Sequence, residues 1–328
     1  MSILGENTLS LLIPAAAMAV SAIAIVGAGA LRPAAVSGPS RVPQGVRLWH
    51  LLMVAGCGVF VWIFVQQVFV SAKMSPARST AAAPATMDLS RFSPGDWAFI
   101  ATVPALAGAI ALWVGDRAVG GPELIECLGF RQRALPRGIA QGIWGAVAIL
   151  PPMYLVMFLT QWVYDRLHFS HPAEHQLLTV MGEAHARSTR ALLILGATVA
   201  APLWEEYLFR GHVQTILRAL FVRLSTPRRP PLAQNIGGFP VAAPQDQVLP
   251  LADAVEPPRV WQTWLAIIIT SVGFAMVHPM WMWPPIFVLA LGLGYTYERT
   301  GNLWTSMTIH CLFNSASTYL YLSGINGP

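Results

Sequence analysis

Two adjacent carboxylates and an arginine stand in a part of the chain that is otherwise apolar. Glu205 and Glu206 follow the apolar run 191–203, and Arg210 comes four residues after Glu206. Charges at membrane depth are costly unless they are paired or functional. Because an acid placed four residues before an arginine favours an ion pair on one helix face, we expect Glu206 to pair with Arg210. Adjacent helical residues point about 100° apart, so Glu205 lies off that face and is available as a general base for water.

Two further pairs of residues lie in apolar segments downstream. Phe274 precedes His278 by four residues, and His310 precedes Asn314 by the same spacing, which places each pair on one face of a helix. Histidine and asparagine side chains can assist catalysis, but they also form ordinary hydrogen bonds between membrane helices. Taken separately, each pair and the two acids therefore admit both a structural and a catalytic interpretation. Taken together, the three stretches favour one catalytic cavity inside the membrane.

The composition indicates that membrane helices carry these residues. Of the 328 residues, 55% are hydrophobic and 11% are charged, whereas roughly 25% are charged in soluble domains. A membrane span needs about 20 mostly apolar residues. The predicted spans are 8–31, 48–71, 97–115, 138–162, 190–222, 261–280, 284–299 and 302–322. We therefore predict an all-α fold, a polytopic membrane helix bundle of about eight transmembrane helices, in a plasma or inner membrane.

Charge and cysteine content exclude two other classes of site. The net charge of +5 does not predict a nucleic-acid partner, because the arginines are scattered through short loops and form no basic stripe. Contact with the lipid bilayer and its anionic headgroups explains the basicity more simply. The three cysteines, Cys57, Cys127 and Cys311, are an odd number without metal-type spacing, so neither a disulfide framework nor a zinc knuckle is predicted.

In chain order, the three motifs resemble those of the CAAX-protease and bacteriocin-processing family, also called CPBP or Abi. Residues 205–211 match its EExxxR motif, 274–278 its FxxxH motif and 310–314 its HxxxN motif, and 291–304 looks like its approach to the third motif. The resemblance covers roughly 138–321. It implies an intramembrane endopeptidase, similar to the type II CAAX prenyl protease, acting on a membrane-associated peptide or protein, including bonds near a C-terminus.

The resemblance also implies a role for each motif residue. Glu205 and His278 would position and deprotonate the attacking water, while His310 and Asn314 would stabilise the oxyanion. The residues expected to support this arrangement are Glu206, Arg210 and Phe274.

Domain boundaries follow from the motifs and from the distribution of proline. Residues 1–137 are predicted to hold N-terminal transmembrane helices and linkers, and residues 138–322 the protease-like domain. A proline-rich loop insertion at 226–258 interrupts this second domain. Gly138 and Gly142 form a small-xxx-small pair, which predicts close approach of another helix.

Three alternatives remain open at this point. Glu205, His278 and His310 are also donor types of a zinc site, but the sequence lacks a His-Glu-x-x-His helix, and we favour a reaction without metal or other cofactor. Intramembrane acids and histidines also serve proton-coupled transporters, although the chain shows no repeated half with broken helices. A non-catalytic membrane scaffold or immunity protein on the same fold is the third alternative.

Overall fold

The computed structural model describes residues 16–27, 29, 36, 42–43, 45–74, 92–172, 176–225, 234–236, 239–241 and 259–324. Its α-helices, in chain order, are α1 (Ala16–Gly27), α2 (Leu48–Met74), α3 (Pro94–Cys127), α4 (Leu135–Arg166), α5 (Gln176–Glu183), α6 (Arg187–Ser225), α7 (Val260–Met276), α8 (Trp283–Thr300) and α9 (Leu303–Leu322). Two short 3₁₀ turns cover Gln132–Ala134 and Met280–Met282. This architecture confirms the predicted all-α fold.

Hydropathy and length support a membrane bundle. Within the described residues, three helical stretches are long and apolar enough to cross a membrane: Leu48–Met74, Pro94–Arg166 and Arg187–Ser225. The helices Ala16–Gly27 and Val260–Met276 are apolar but shorter. Helices α2, α3, α4 and α6 to α9 coincide with predicted spans, whereas the short helix α5 was not predicted. The number of crossings stays a prediction.

The proline-rich insertion is described only in part. Strands β1 (Gln234–Ile236) and β2 (Phe239–Val241) pair antiparallel within it, with Gln234 opposite Val241. The rest of the predicted insertion 226–258 lies outside the described residues. The division of the chain at residue 137 also stays a prediction.

Helix α6 carries the first motif and is not a uniform α-helix. The stretch Ala201–Glu206 is α-helical, but it lies between two π-helical segments, Gly196–Ala200 and Tyr207–Gln214. A π turn is wider than an α turn. Such turns are rare in proteins, and those that occur are often found at functional sites. Helix α6 thus covers the predicted span 190–222, and its two π segments are features that the sequence did not predict.

Glycines let neighbouring helices approach closely. A Cβ on Gly138 would lie 2.7 Å from the Cβ of Trp304, and a Cβ on Gly142 would overlap Thr308, so α4 packs directly on α9 as the small-xxx-small pair predicts. In a second contact of this kind, a Cβ on Gly108 of α3 would lie 2.7 Å from the Trp204 ring of α6. Both contacts fix the helices that bear the motifs.

The turn between α8 and α9 sets the start of the third motif helix. Gly301 ends α8 with a φ of 61°, a left-handed conformation that favours glycine. Asn302 then caps α9, because its side-chain oxygen accepts from the Trp304 backbone N–H at 3.1 Å. The Asn302 amide also donates to the Ala134 carbonyl at 3.0 Å, which ties this turn to the start of α4.

Candidate active site

The two adjacent acids of α6 have different surroundings. Glu206 is fully buried, whereas the Glu205 side chain is 23% exposed. Arg210 Nη1 donates to Glu206 Oε1 at 2.9 Å, which confirms the predicted ion pair between them. Arg210 Nη2 also donates to the Ala290 carbonyl of α8 at 3.2 Å. One acid is thus fixed by a buried charge, and the other remains accessible.

His310 of α9 lies between the two acids. Its Nδ1 is 3.0 Å from Glu206 Oε1, within hydrogen-bond distance, and its Nε2 is 3.7 Å from Glu205 Oε2. A hydrogen on Nδ1 is required for donation to the carboxylate, and the bond made by one ring nitrogen fixes the orientation of the other. Glu206 therefore aims the second ring nitrogen of His310 towards Glu205.

Phe274 of α7 joins the three motif helices. Its fully buried ring lies under the Arg210 guanidinium, with the central carbon 4.4 Å from the ring centroid. The same ring makes edge contacts with His310 at 5.7 Å and with Phe209 at 5.0 Å between centroids. Cation–π and edge-to-face contacts of this kind are favourable in a desolvated site. We call Glu205, Glu206, Arg210, Phe274 and His310 the acidic site.

His278 reaches the acidic site through Phe274, with the two rings 4.9 Å apart. The expectation that the pair shares one helical face is wrong in detail, because α7 ends at Met276 and His278 lies in the following bend. The cause is Pro279, since the residue before a proline is disfavoured in the α conformation. His278 Nδ1 is 2.8 Å from the Phe274 carbonyl oxygen, so a hydrogen on Nδ1 leaves Nε2 as an acceptor.

Asn314 contacts the first π segment. Its amide nitrogen donates to the Ala197 carbonyl of Gly196–Ala200 at 2.7 Å. An amide nitrogen carries two hydrogens, and this bond uses one of them. The structure therefore brings Glu205, Glu206 and His310 directly together, and His278 reaches them through Phe274, whereas Asn314 contacts α6 further from the acids, at Ala197.

The residues considered for zinc are not arranged as a ligand set. Among the residues described above, no group of three or more His, Cys, Asp or Glu side chains could hold a metal ion. Both ring nitrogens of His310 face carboxylate oxygens, and His278 Nδ1 faces a carbonyl. Glu205, His278 and His310 therefore do not form such a group in this arrangement. The zinc alternative and the reaction without metal both stay predictions.

Three polar residues that the sequence did not single out form a second buried cluster. The Tyr207 hydroxyl donates to Asp116 Oδ2 at 2.5 Å, and His212 Nε2 is 3.1 Å from Asp116 Oδ1. His212 Nδ1 lies 3.1 Å from the Tyr207 carbonyl oxygen. We call Asp116, Tyr207 and His212 the bracing cluster. The available signal was Asp116 itself, a carboxylate directly after the predicted apolar span 97–115.

Comparison with known proteins identifies the segment that carries these motifs. Residues 187–316 match the family model described as type II CAAX prenyl endopeptidase Rce1-like. The matched segment contains all three motifs and begins where α6 begins. No curated protein and no solved structure matches the chain.

Proposed function

We propose that the protein is an intramembrane endopeptidase, because residues 187–316 match the family model described as type II CAAX prenyl endopeptidase Rce1-like. It would hydrolyse a peptide bond in a membrane-associated peptide or protein, including bonds near a C-terminus. The observation that carries this proposal is the placement of His310 between two adjacent acids of which only Glu205 is partly exposed. A buried imidazole beside an accessible carboxylate supplies the acid–base groups that hydrolysis without a metal needs.

In the proposed reaction, Glu205 acts as the general base. Its carboxylate takes a proton from water while the water oxygen attacks the carbonyl carbon of the scissile bond. His278 holds the same water through Nε2, which its Nδ1 contact with the Phe274 carbonyl leaves as an acceptor. The proton then passes from Glu205 to the leaving nitrogen as the carbon–nitrogen bond breaks, which restores the carboxylate and balances the step.

His310 and Asn314 are proposed to stabilise the oxyanion that forms during the attack. One donor of this kind contributes about 3–4 kcal/mol to transition-state stabilisation in studied hydrolases. For His310, this role requires a hydrogen on both ring nitrogens: Nδ1 donates to Glu206, which fixes the ring, and Nε2 is left to donate to the oxyanion. For Asn314, the orientation comes from the bond to Ala197, which holds one amide hydrogen and leaves the second for the substrate.

Glu206 and Arg210 are proposed as supporting residues. Their buried ion pair lets Glu206 keep its charge in an apolar bundle and so hold His310. Phe274 fixes Arg210 from one side and His310 from another. The supporting group thus contacts two of the residues proposed to touch substrate or water, His278 and His310.

The test is a comparison of cleavage products. Wild-type and Glu205→Ala proteins are each reconstituted into liposomes with a membrane-protein extract, and new peptide termini are identified by mass spectrometry. We expect termini that appear with the wild type and are lost with Glu205→Ala. Glu183→Ala, which changes an exposed acid at the end of α5, is the matched control and should give the wild-type products. Identical products from wild type and Glu205→Ala would refute hydrolysis by this site.

The same preparation tests the metal alternative. Purified wild-type protein is dialysed against a chelator, analysed for zinc and assayed again on the peptides cleaved in the first experiment. We expect full activity without stoichiometric zinc. Loss of activity on chelation that added zinc restores would show that Glu205, His278 and His310 rearrange to bind metal.

A further inference from the structure

Helix α3 lies outside the family-matched segment, yet it packs along the whole first motif. A Cβ on Gly196 would lie 2.6 Å from the Thr102 hydroxyl, and a Cβ on Gly108 would lie 2.7 Å from the Trp204 ring. Further along the same two helices, Asp116 contacts Tyr207 and His212. These contacts advance in the same direction on both helices, so α3 and α6 run parallel where they pack. We call this contact the seam; it joins Thr102, Gly108 and Asp116 of α3 to Gly196, Trp204, Tyr207 and His212 of α6. Trp204 and Tyr207 in the seam directly flank the two motif acids.

The bracing cluster is the polar end of this seam. Asp116 and His212 are fully buried and Tyr207 is 2% exposed. Both carboxylate oxygens of Asp116 are used on α6, one by the Tyr207 hydroxyl and one by His212 Nε2. Both partners lie in the second π segment, Tyr207–Gln214, which begins at the residue after Glu206. Both oxygens of the Asp116 carboxylate therefore bond the segment that follows the motif acids.

We propose that Asp116 is a positioning residue for the acidic site, acting through Tyr207 and His212 on the second π segment. This inference rests on the proposed hydrolytic function and deepens it. The π segment also contains Arg210, whose Nη1 donates to Glu206. A change in the width of this segment would rotate Arg210 relative to Glu206. Since Glu206 holds His310, that displacement would be transmitted to the ring nitrogen that faces Glu205.

Burial energetics favour a positioning role over a purely stabilising one. A buried carboxylate paired with a histidine is weak evidence for stability, because apolar residues of similar volume commonly serve as well. A fully satisfied buried polar network does specify one arrangement of its elements. In the bracing cluster all five polar side-chain atoms have partners: both oxygens of Asp116, the hydroxyl of Tyr207 and both ring nitrogens of His212. The bracing cluster therefore specifies how α3 is positioned along the second π segment.

The first readout is steady-state kinetics on a peptide that the wild type cleaves. We expect Asp116→Asn to lower kcat between about ten- and a hundredfold, because small misplacements of reacting groups have effects of that size. KM should stay within about twofold, because substrate contacts are unchanged. The double variant Asp116→Asn with His212→Gln should be no worse than either single variant, since both remove the same bond.

The second readout does not depend on hydrolysis. Nitrogen NMR of protein labelled at histidine reports the hydrogen bonds of the His310 ring, and the His310→Gln variant assigns its signals. We expect Asp116→Asn to shift the His310 signals, because Glu206 is displaced from Nδ1. If Asp116→Asn does not fold, Tyr207→Phe takes its place. It removes one hydroxyl and should shift the same signals and lower kcat by a smaller factor.

Asp96→Asn is the matched control, since it changes another carboxylate of the same helix. Asp96 accepts from Ser93 in the first turn of α3 and pairs with Lys73 at 2.7 Å, 20 residues before Asp116 in the same helix. It should lower the melting temperature while leaving kcat and the His310 signals at wild-type values. A wild type that cleaves nothing would refute the proposed function, and the His310 signals would then decide the positioning alone. Unchanged His310 signals in both Asp116→Asn and Tyr207→Phe would overturn the positioning role.

Discussion

The acidic site and the bracing cluster lie side by side on α6 and use similar chemical groups, but they differ in how completely those groups are satisfied. In the bracing cluster, both oxygens of Asp116 and both ring nitrogens of His212 have partners. In the acidic site, Glu206 Oε2 and Arg210 Nε are buried without a hydrogen-bond partner within the described part of the chain. Glu205, next to them, is the one acid of the pair with an exposed fraction.

This difference distinguishes the bracing cluster, which fixes the helices, from the acidic site, which is proposed to react. A satisfied buried network is rigid and has nothing left to offer a substrate. A buried polar atom without a partner carries a free-energy cost that ordinary packing would avoid, and such atoms call for an explanation such as a catalytic role or bound water. The two unpartnered atoms of the acidic site agree with the proposed hydrolytic role, in which water and substrate would complete the hydrogen bonding.

The largest expected effect compares the two adjacent acids. Glu206→Gln should lower the free energy of unfolding by about 3–5 kcal/mol, because it leaves Arg210 as an uncompensated buried charge. Glu205→Gln should change it by less than about 1 kcal/mol, because that side chain is partly exposed and has no cation on its own helix face. Reversible unfolding in mixed detergent micelles measures both. Equal losses would contradict the division of roles between the two acids.

A smaller effect tests whether the seam between α3 and α6 is as tight as the bracing cluster requires. Gly108→Ala should destabilise the protein by about 1–3 kcal/mol, because its methyl group meets the buried Trp204 ring and overpacks the seam. Gly56→Ala, in α2, is the matched control, since a Cβ there meets nothing within 4 Å. It should be neutral or stabilising by up to about 1 kcal/mol through helix propensity. Equal melting temperatures for the two variants would show that the seam accommodates the added methyl group, and would contradict tight packing there.

The same contrast explains how far the sequence could predict the structure. Helices α2, α3, α4 and α6 to α9 follow from hydropathy, and the Glu206–Arg210 pair follows from local helix spacing. The bracing cluster does not follow, because Asp116 meets partners 91 and 96 residues away, and their meeting depends on how α3 packs against α6. The π segments could not be predicted either, since neither has a local sequence signal. The first is bonded by Asn314 of α9 at the Ala197 carbonyl. The early end of α7, at Met276, could have been predicted from Pro279.

The smallest expected effect on stability concerns Asn314, where holding and reacting meet in one side chain. Asn314→Ala removes the bond to the Ala197 carbonyl and should lower the free energy of unfolding by about 1 kcal/mol, as a single interhelical hydrogen bond does. If the second amide hydrogen also serves the oxyanion, kcat should fall about a hundredfold or more, well beyond what that loss of stability explains.

Thr198→Val separates these two contributions. The Thr198 hydroxyl donates to the Ile194 carbonyl at 2.7 Å, so the variant removes a bond between a side chain and a carbonyl within α6 and keeps the bond from Asn314 to Ala197. It should cost a similar or smaller amount of stability and leave kcat within about twofold of wild type. If Asn314→Ala lowers kcat no more than Thr198→Val does, then Asn314 only fixes the first π segment. The oxyanion would then depend on His310 alone, and the acidic site would contain every residue that reacts except His278.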